Sequence, residues 1–186
     1  PGQTVASADA SASAVLAGDI DFQFTGEGNI LIVNDAGQKT GTDLDTGFFV
    51  NEIPGAEVFQ YMGGLGKAIP PLIGVPVAET DETYYAAVLH GTTVVEPISG
   101  TLSINGPGFS LGVKDVQLEP ADVLKLSLSP DGDFIAFNAE HTMTAPPMYI
   151  AYDPVIDSDP SIIFTVEGVI LDAGEQSSLT LDPALE

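Results

Sequence analysis

The feature that most limits the fold of this chain is a series of short alternating apolar segments, each followed by a glycine- or proline-containing turn. In the clearest of them, Leu124, Leu126 and Leu128 alternate with Lys125 and Ser127. Side chains two residues apart lie on one face of a β-strand, so this segment predicts a strand with one buried face. No segment repeats its apolar residues with the 3.6-residue period of a helix.

Segments of this kind recur along the chain and predict one all-β domain over residues 18–186. The predicted strands cover residues 19–24, 29–33, 48–51, 57–61, 83–90, 92–97, 101–105, 109–118, 123–129, 133–139, 148–152, 162–171 and 177–181. Residues 63–76 hold four glycines and three prolines without a usable period, and we expect a long loop there. Short strands separated by turns predict an antiparallel β-sandwich, with jelly-roll or Greek-key wiring left open.

The first 17 residues differ from the rest of the chain because they are rich in alanine and serine and almost uncharged. Such a segment has too little apolar mass to pack alone, so we expect an extended N-terminal arm over residues 1–17. Since the sequence begins with Pro1 rather than Met, we expect a mature chain whose secretion leader has been removed. The alternative is a start chosen for expression.

The charge balance excludes several classes of partner. The chain has 27 acidic residues against four lysines, and its net charge is −23. Binding to nucleic acid or to an anionic membrane needs clustered lysine and arginine, so neither partner is expected. There is no cysteine, which excludes disulfides and thiol chemistry, and no apolar run approaches the length of a membrane span. We expect a secreted or cell-surface protein.

Residues 34–56 are the one stretch that points to specific chemistry. The candidate cation ligands in it are Asp35, Asp43, Asp45, Asn51 and Glu52. Carboxylate and carbonyl oxygens are the ligands that calcium prefers, and the intervening glycines let the backbone fold around an ion. The spacing does not match an EF-hand. The stretch therefore predicts a site for calcium or a similar cation, and the alternative is a cluster of Asx turns that cap backbone amides.

The same stretch also carries a resemblance to a known type of module. Its parts are Asp35-x-Gly37, Thr40-Gly41-x-Asp43-x-Asp45-Thr46-Gly47 and Asn51-Glu52-Ile53-Pro54-Gly55-Ala56. With the later turns that begin at Gly106, Ser129 and Leu171, these parts resemble a module of uncharacterised, repeat-bearing secreted and surface proteins of bacteria, over residues 22–183. The basic residues usual after the first motif are reduced here to Gln38-Lys39. The resemblance implies an extracellular β-module with no assigned activity.

Three other groups of residues have ordinary structural interpretations. Asp153, Asp157 and Asp159 indicate a solvated loop, with a second cation site as the weaker interpretation. His90 and His141 are far apart in sequence, and we expect each to be a hydrogen-bonded structural residue. The five tyrosines offer stacking surfaces for a sugar, but we favour packing on strands for them; they are Tyr61, Tyr84, Tyr85, Tyr149 and Tyr152.

These observations favour a structural protein. The chain has neither a nucleophile elbow nor a phosphate-binding loop, so we expect no enzyme activity. We expect a subunit of an extracellular filament or surface layer that assembles with copies of itself, the N-terminal arm adding a strand to a neighbour's sheet. The residues predicted to make this contact are Val15, Leu16, Ile20, Phe22 and Phe24.

Two alternatives stay open at this point. Residues 19–24 would instead be the first strand of the chain's own sandwich, with the arm merely lying over it. The alternative function is a cation-dependent module that binds carbohydrate or another surface ligand.

Overall fold

The computed structural model describes residues 18–60, 70–77, 83–152 and 162–181. This part of the chain contains no helix, and 60% of its residues lie in strands, which confirms the predicted all-β class. The strands are β1 (Gly18–Phe24), β2 (Asn29–Asn34), β3 (Lys39–Thr42), β4 (Phe49–Asn51), β5 (Glu57–Phe59), β6 (Leu72–Val77), β7 (Tyr85–His90), β8 (Ile98–Gly106), β9 (Phe109–Leu118), β10 (Val123–Leu128), β11 (Phe134–Asn138), β12 (Met143–Thr144), β13 (Met148–Tyr152), β14 (Ile162–Val166), β15 (Ile170–Leu171) and β16 (Gln176–Thr180). Within the described ranges, no helix is long and apolar enough to cross a membrane.

The strands form two antiparallel sheets that pack face to face, as predicted for a β-sandwich. Sheet A has seven strands in the order β14-β13-β9-β8-β1-β6-β5. Sheet B also has seven, in the order β16-β11-β10-β7-β2-β3-β4. Strands β12 and β15 pair separately as a small third sheet. The chain passes back and forth between the two large sheets, so each sheet is assembled from segments far apart in sequence.

One apolar core lies between the two sheets. Leu124, Leu126 and Leu128 of β10 are all buried in it, as their alternation predicted. Ile30 and Ile32 enter the same cluster from β2. Burial of a large aliphatic side chain contributes about 1.5–3 kcal/mol, so the alternating pattern is the main source of the sandwich's stability.

Strand β1 lies inside sheet A rather than at its edge. It pairs with β6 on one side, where Ile20 faces Val75, and with β8 on the other. Ile20, Phe22 and Phe24 are fully buried in the core of their own chain. The prediction that these three side chains enter a neighbouring subunit is therefore wrong, and the alternative of an internal first strand holds. Val15, Leu16 and the rest of the predicted arm lie outside the described residues.

Strand β9 contains an irregularity that its sequence did not reveal. Val113 and Val116 are both buried although they are three residues apart. Asp115 between them has a left-handed backbone with φ of 54°, and the pairing register with β8 shifts between Gly100 and Leu102. An extra residue in one strand of an antiparallel pair forms a β-bulge and increases the local twist. The bulge lets both valines face the core.

Strand β6 corrects the long loop predicted for residues 63–76. Ile73, Val75 and Val77 are buried and alternate with Gly74 and Pro76, so the segment has a period of two. Glycine and proline usually end a strand, and here they hid the pattern. The pairing with β5 covers only the first half of the strand and ends before the proline. Residues 61–69, which include Tyr61, lie outside the described residues.

Three smaller differences concern element bounds. Residues 92–97 form a turn rather than a strand, and β8 begins directly after them. The strand predicted over residues 162–171 is interrupted and divides into β14 and β15. Residues 34–56 are not one loop, because β3 and β4 lie within them and pair with each other. Thr40, Gly41 and Thr42 lack the bulky apolar residues from which a strand is usually recognised.

Candidate functional site

The acidic stretch folds as two successive tight turns around β3. The first turn joins β2 to β3 and is closed by the backbone N–H of Gly37, which donates to the carbonyl oxygen of Asn34. The second joins β3 to β4, and here the N–H of Gly47 donates to the carbonyl oxygen of Asp43. The carboxylates are thus distributed over the β2–β3–β4 segment, called the acidic hairpin below, instead of surrounding a single point.

Asp43 is the buried centre of the second turn. Its Oδ1 accepts hydrogen bonds from the backbone N–H groups of Asp45 (3.2 Å) and Thr46 (3.0 Å) and from the Thr46 hydroxyl (2.9 Å). Its Oδ2 accepts a hydrogen bond of 2.8 Å from Nζ of Lys39. Lys39 and then the Thr46 groups lower the pKa of Asp43 from 3.8 to about 2. This is the Asx-turn arrangement, closed by an ion pair.

The other candidate ligands each have a separate place. Asn51 uses its Oδ1 to accept a hydrogen bond of 3.0 Å from the Thr40 hydroxyl. Glu52 accepts one of 3.2 Å from the backbone N–H of Lys39. Asp35 and Asp45 are exposed in the first and the second turn, respectively. Among the described residues, no three acidic or histidine side chains are grouped to hold a metal ion. A calcium site at this hairpin stays a prediction.

His90, on the central strand β7 of sheet B, forms a hydrogen bond with the acidic hairpin. Its ring is fully buried, and Nε2 lies 2.8 Å from the carbonyl oxygen of Thr42. A carbonyl oxygen only accepts, so Nε2 carries the proton of this bond. Nδ1 lies 2.8 Å from the hydroxyl of Thr92, in the turn after β7. These contacts confirm the structural role predicted for His90. His141 is exposed between β11 and β12.

The described tyrosines do not form a common platform. The ring of Tyr84 packs edge-on against Phe134, with 5.8 Å between the ring centroids. Tyr85 is buried, and its hydroxyl donates to the carbonyl oxygen of Pro76 at 3.3 Å. Tyr149 lies beneath Nζ of Lys114, which is 4.2 Å from the ring centroid. These contacts agree with the predicted packing role of the rings. Residues 153–161, which carry the second acidic loop, lie outside the described residues.

The exposed edge of sheet A at β14 is the most unusual surface of the described chain. In sequence this strand reads Ile-Ile-Phe-Thr-Val, without a charged residue. Ile162, Ile163 and Phe164 are 48%, 71% and 37% exposed, respectively. Strand β13 pairs with one side of β14, and within the described ranges no strand pairs with the other. An open edge of this kind offers unpaired backbone groups to another chain.

Within the described residues, the other three edge strands of the two large sheets carry features that discourage such pairing. Strands β4 and β5 are only three residues long, and β5 begins with Glu57. Strand β16 carries mainly glutamine, serine and threonine side chains. Short strands, charges and polar side chains are the usual means by which natural sheets prevent edge-to-edge association. Strand β14 is longer than β4 and β5, has no charged residue, and has one polar side chain, that of Thr165.

A second exposed apolar area lies on the opposite side of the sandwich. Phe48 lies in the turn before β4, Phe49 is the first residue of β4, and Phe59 belongs to β5. Phe48 is 75% exposed, and the other two are about half exposed. Since β4 and β5 are the outer strands of the two sheets and follow each other in the chain, the three rings lie on one side of the molecule.

Comparisons with protein-family models, with curated proteins and with solved structures each found no match for this chain. The bacterial surface module that the acidic stretch resembles stays a prediction.

Proposed function

We propose that this protein is a non-catalytic structural subunit of an extracellular filament or surface layer, and that copies of it associate through the open edge of sheet A. The observation that carries this proposal is β14, an uncharged apolar edge strand in a chain whose net charge is −23. Exposed apolar strands promote aggregation, and acidic soluble proteins usually protect them. The exposure of β14 is explained if another chain covers this strand.

The secreted location and the polymeric state are parts of this proposal. The support for the secreted location is the cysteine-free, strongly acidic composition together with the all-β fold, and the support for the polymeric state is the open apolar edge at β14. The predicted donor, the N-terminal arm, now comprises only residues 1–17, because Ile20, Phe22 and Phe24 belong to the core. Strand addition satisfies the backbone groups of an open edge and buries alternate side chains.

The direct test is the assembly state of the full chain over a wide range of concentrations, measured by light scattering and by negative-stain electron microscopy. We expect oligomers or fibres that disappear in the Ile163→Glu variant, because a charged side chain on an edge strand, added to each copy of an already strongly acidic chain, opposes strand addition. Val95→Glu is the matched control, since Val95 is 88% exposed in the turn before β8. A parent protein that stays monomeric throughout would overturn the proposal.

The binding-module alternative makes a different prediction. Such a protein would remain a monomer and be retained on a polysaccharide column, with retention lost on removal of the cation. Retention of a monomeric parent protein would favour this alternative over the structural subunit.

A further inference from the structure

We infer that the occupant of the β14 edge is β14 of a second copy, paired antiparallel about a twofold axis through Phe164. This inference rests on the proposed function and names the partner of the same edge. It follows from three properties of the strand: its register, its charge and its exposed faces.

The first property is the register. In sheet A, Ile150 faces Phe164 and Ala151 faces Ile163, so alternate residues of β14 continue the inner and outer faces of the sheet. A twofold axis perpendicular to the sheet keeps the inner face of one copy next to the inner face of the other. The register that pairs all five residues sets Phe164 opposite Phe164 of the second copy. It also sets Ile163 opposite Thr165, and Ile162 opposite Val166.

The second property is charge. Two molecules of net charge −23 repel each other over most of their surfaces. The twofold pairing brings together only uncharged side chains, because β14 has no charged residue. The nearest carboxylate that follows the strand, Glu167, accepts a hydrogen bond of 3.1 Å from the Tyr149 hydroxyl. In an antiparallel pair, the two Glu167 side chains lie at opposite ends of the paired strands, whereas a parallel pair would set them side by side.

The third property is that both faces of β14 are apolar and exposed. Ile163 stands on the outer face, while Ile162 and Phe164 stand on the inner face beyond the covered core. Aromatic and β-branched side chains that lie directly opposite each other on neighbouring strands stabilise the pairing of those strands. Pairing of β14 with its own copy supplies such side chains on both faces at once. The N-terminal arm offers only Val5, Val15 and Leu16 as large apolar side chains, and most of its other residues are alanine and serine, so as a donor it would cover less of this surface.

The test uses the absence of cysteine from the chain, which gives engineered thiols no native competitor. In the Phe164→Cys variant, the register places the two introduced thiols opposite each other across the twofold axis. Under mild oxidation we expect a covalent dimer that forms roughly tenfold faster, or more, than the dimer of the exposed control Val95→Cys, because pairing raises the local thiol concentration. Adding Ile163→Glu to Phe164→Cys is expected to reduce the rate to that of the control.

A second pair of variants checks the register without changing the aromatic ring. Ile163→Cys and Thr165→Cys proteins, when mixed, are expected to give a mixed disulfide dimer, since these residues face each other across the twofold axis. Both side chains are exposed, so neither change disturbs the core. Absence of both disulfides in a protein that still assembles would overturn the inference.

The outcomes separate this inference from the proposed function. If the protein assembles, fails to form either disulfide and loses assembly on deletion of residues 1–17, the N-terminal arm is the occupant and the structural function stands. If it forms the disulfides and remains a dimer after that deletion, the twofold pairing holds. If no association occurs at any concentration, both proposals fail.

Discussion

Nζ of Lys39 lies 2.8 Å from Oδ2 of Asp43, four residues along the chain, and joins the two ends of β3. Asp43 is nearly buried, and Lys39 is half-buried above it. The pair therefore makes the β3–β4 turn sensitive to the ionisation of one carboxyl group.

This pair predicts an acid-sensitive contribution to stability. The folded-state pKa of Asp43 is lowered to about 2 from an ordinary value of 3.8. A lowered pKa stabilises the folded state above the ordinary value, and this contribution is lost as the pH falls from about 4 through about 2. We expect Asp43→Asn to reduce the free energy of unfolding at pH 7, with the difference from the parent shrinking across that window. Urea denaturation at a series of pH values measures it. A similar loss in the exposed control Asp45→Asn would contradict the assignment.

A calcium ion at the predicted site would compete with Lys39 for the carboxylate of Asp43. Since the Lys39 ammonium already occupies Oδ2 of Asp43, calcium must displace it. We expect calcium to raise the melting temperature of Lys39→Gln more than that of the parent, because an ion that binds only the folded state stabilises it. The double change Asp43→Asn with Asp45→Asn should remove the rise. Equal melting temperatures in chelator and in excess calcium, for parent and variant alike, would leave turn capping as the role of Asp43.

The two histidines give a matched pair of variants. His90 is fully buried with a hydrogen bond at each ring nitrogen, whereas His141 is exposed. Replacement of His90 by leucine leaves the Thr42 carbonyl group without its partner, which costs about 1–3 kcal/mol. We expect His141→Leu to change the free energy of unfolding by less than about 0.5 kcal/mol. Denaturant titration of both variants measures how much the buried hydrogen bonds of His90 contribute, and equal free energies of unfolding would contradict this prediction.

Two glycines, Gly37 in the β2–β3 turn and Gly41 in β3, are expected to differ in how strongly replacement by alanine destabilises the fold. A Cβ on Gly41, where φ is 128°, would clash with the carbonyl oxygen of Ile30 in the adjacent strand. Gly37 also has a positive φ, of 77°, but a Cβ there would meet nothing within 4 Å. We expect Gly37→Ala to cost about 1–2 kcal/mol through backbone strain alone, and Gly41→Ala to cost considerably more. Thermal unfolding of the two variants would refute this if they were equally stable.

Substitution of two phenylalanines, one in β1 and one on the surface, tests the internal position of β1. Phe22 is fully buried between the sheets, and Phe48 is 75% exposed. We expect Phe22→Ala to lower the free energy of unfolding by about 3–5 kcal/mol, because it removes contacts and leaves a cavity. Phe48→Ala should leave stability within about 0.5 kcal/mol of the parent. If Phe22→Ala left stability unchanged and reduced only assembly, β1 would be an intermolecular strand after all.

The parts of the fold that local sequence determines were predictable. The bounds of β9 and β13 match the predicted segments 109–118 and 148–152, because the alternation in each is closed by glycine or proline turns. Strand β6 was missed because Gly74 and Pro76 occupy its outward positions. Local pattern cannot show which strand becomes an edge. The central place of β1 depends on pairing with β6 and β8, which lie far along the chain.

The candidate sites also combine features that local sequence shows with features that depend on long-range strand pairing. Asp43 stood out in the sequence as a carboxylate among glycines, but its engagement with Lys39 and Thr46 depends on a turn that only the β3–β4 pairing creates. Strand β14 was predicted as part of a longer strand, and nothing in that segment marked it as an exposed edge. Their exposure follows from the order of strands in sheet A, which no short segment encodes.

Counted over the described residues, sheet A has an odd number of strands, and this number decides how an assembly of the protein would grow. All of its neighbouring strands are antiparallel, so β5 and β14, at the two ends of a seven-stranded sheet, run in the same direction. A pair of subunits joined at β14 therefore presents β5 at both of its outer ends, with opposite chain directions. In any row built from such pairs, the joint between two β14 strands must alternate with a second joint between the outer ends that carry β5. A fibre built in this way would have no polarity, and its two tips would be chemically identical and elongate at the same rate.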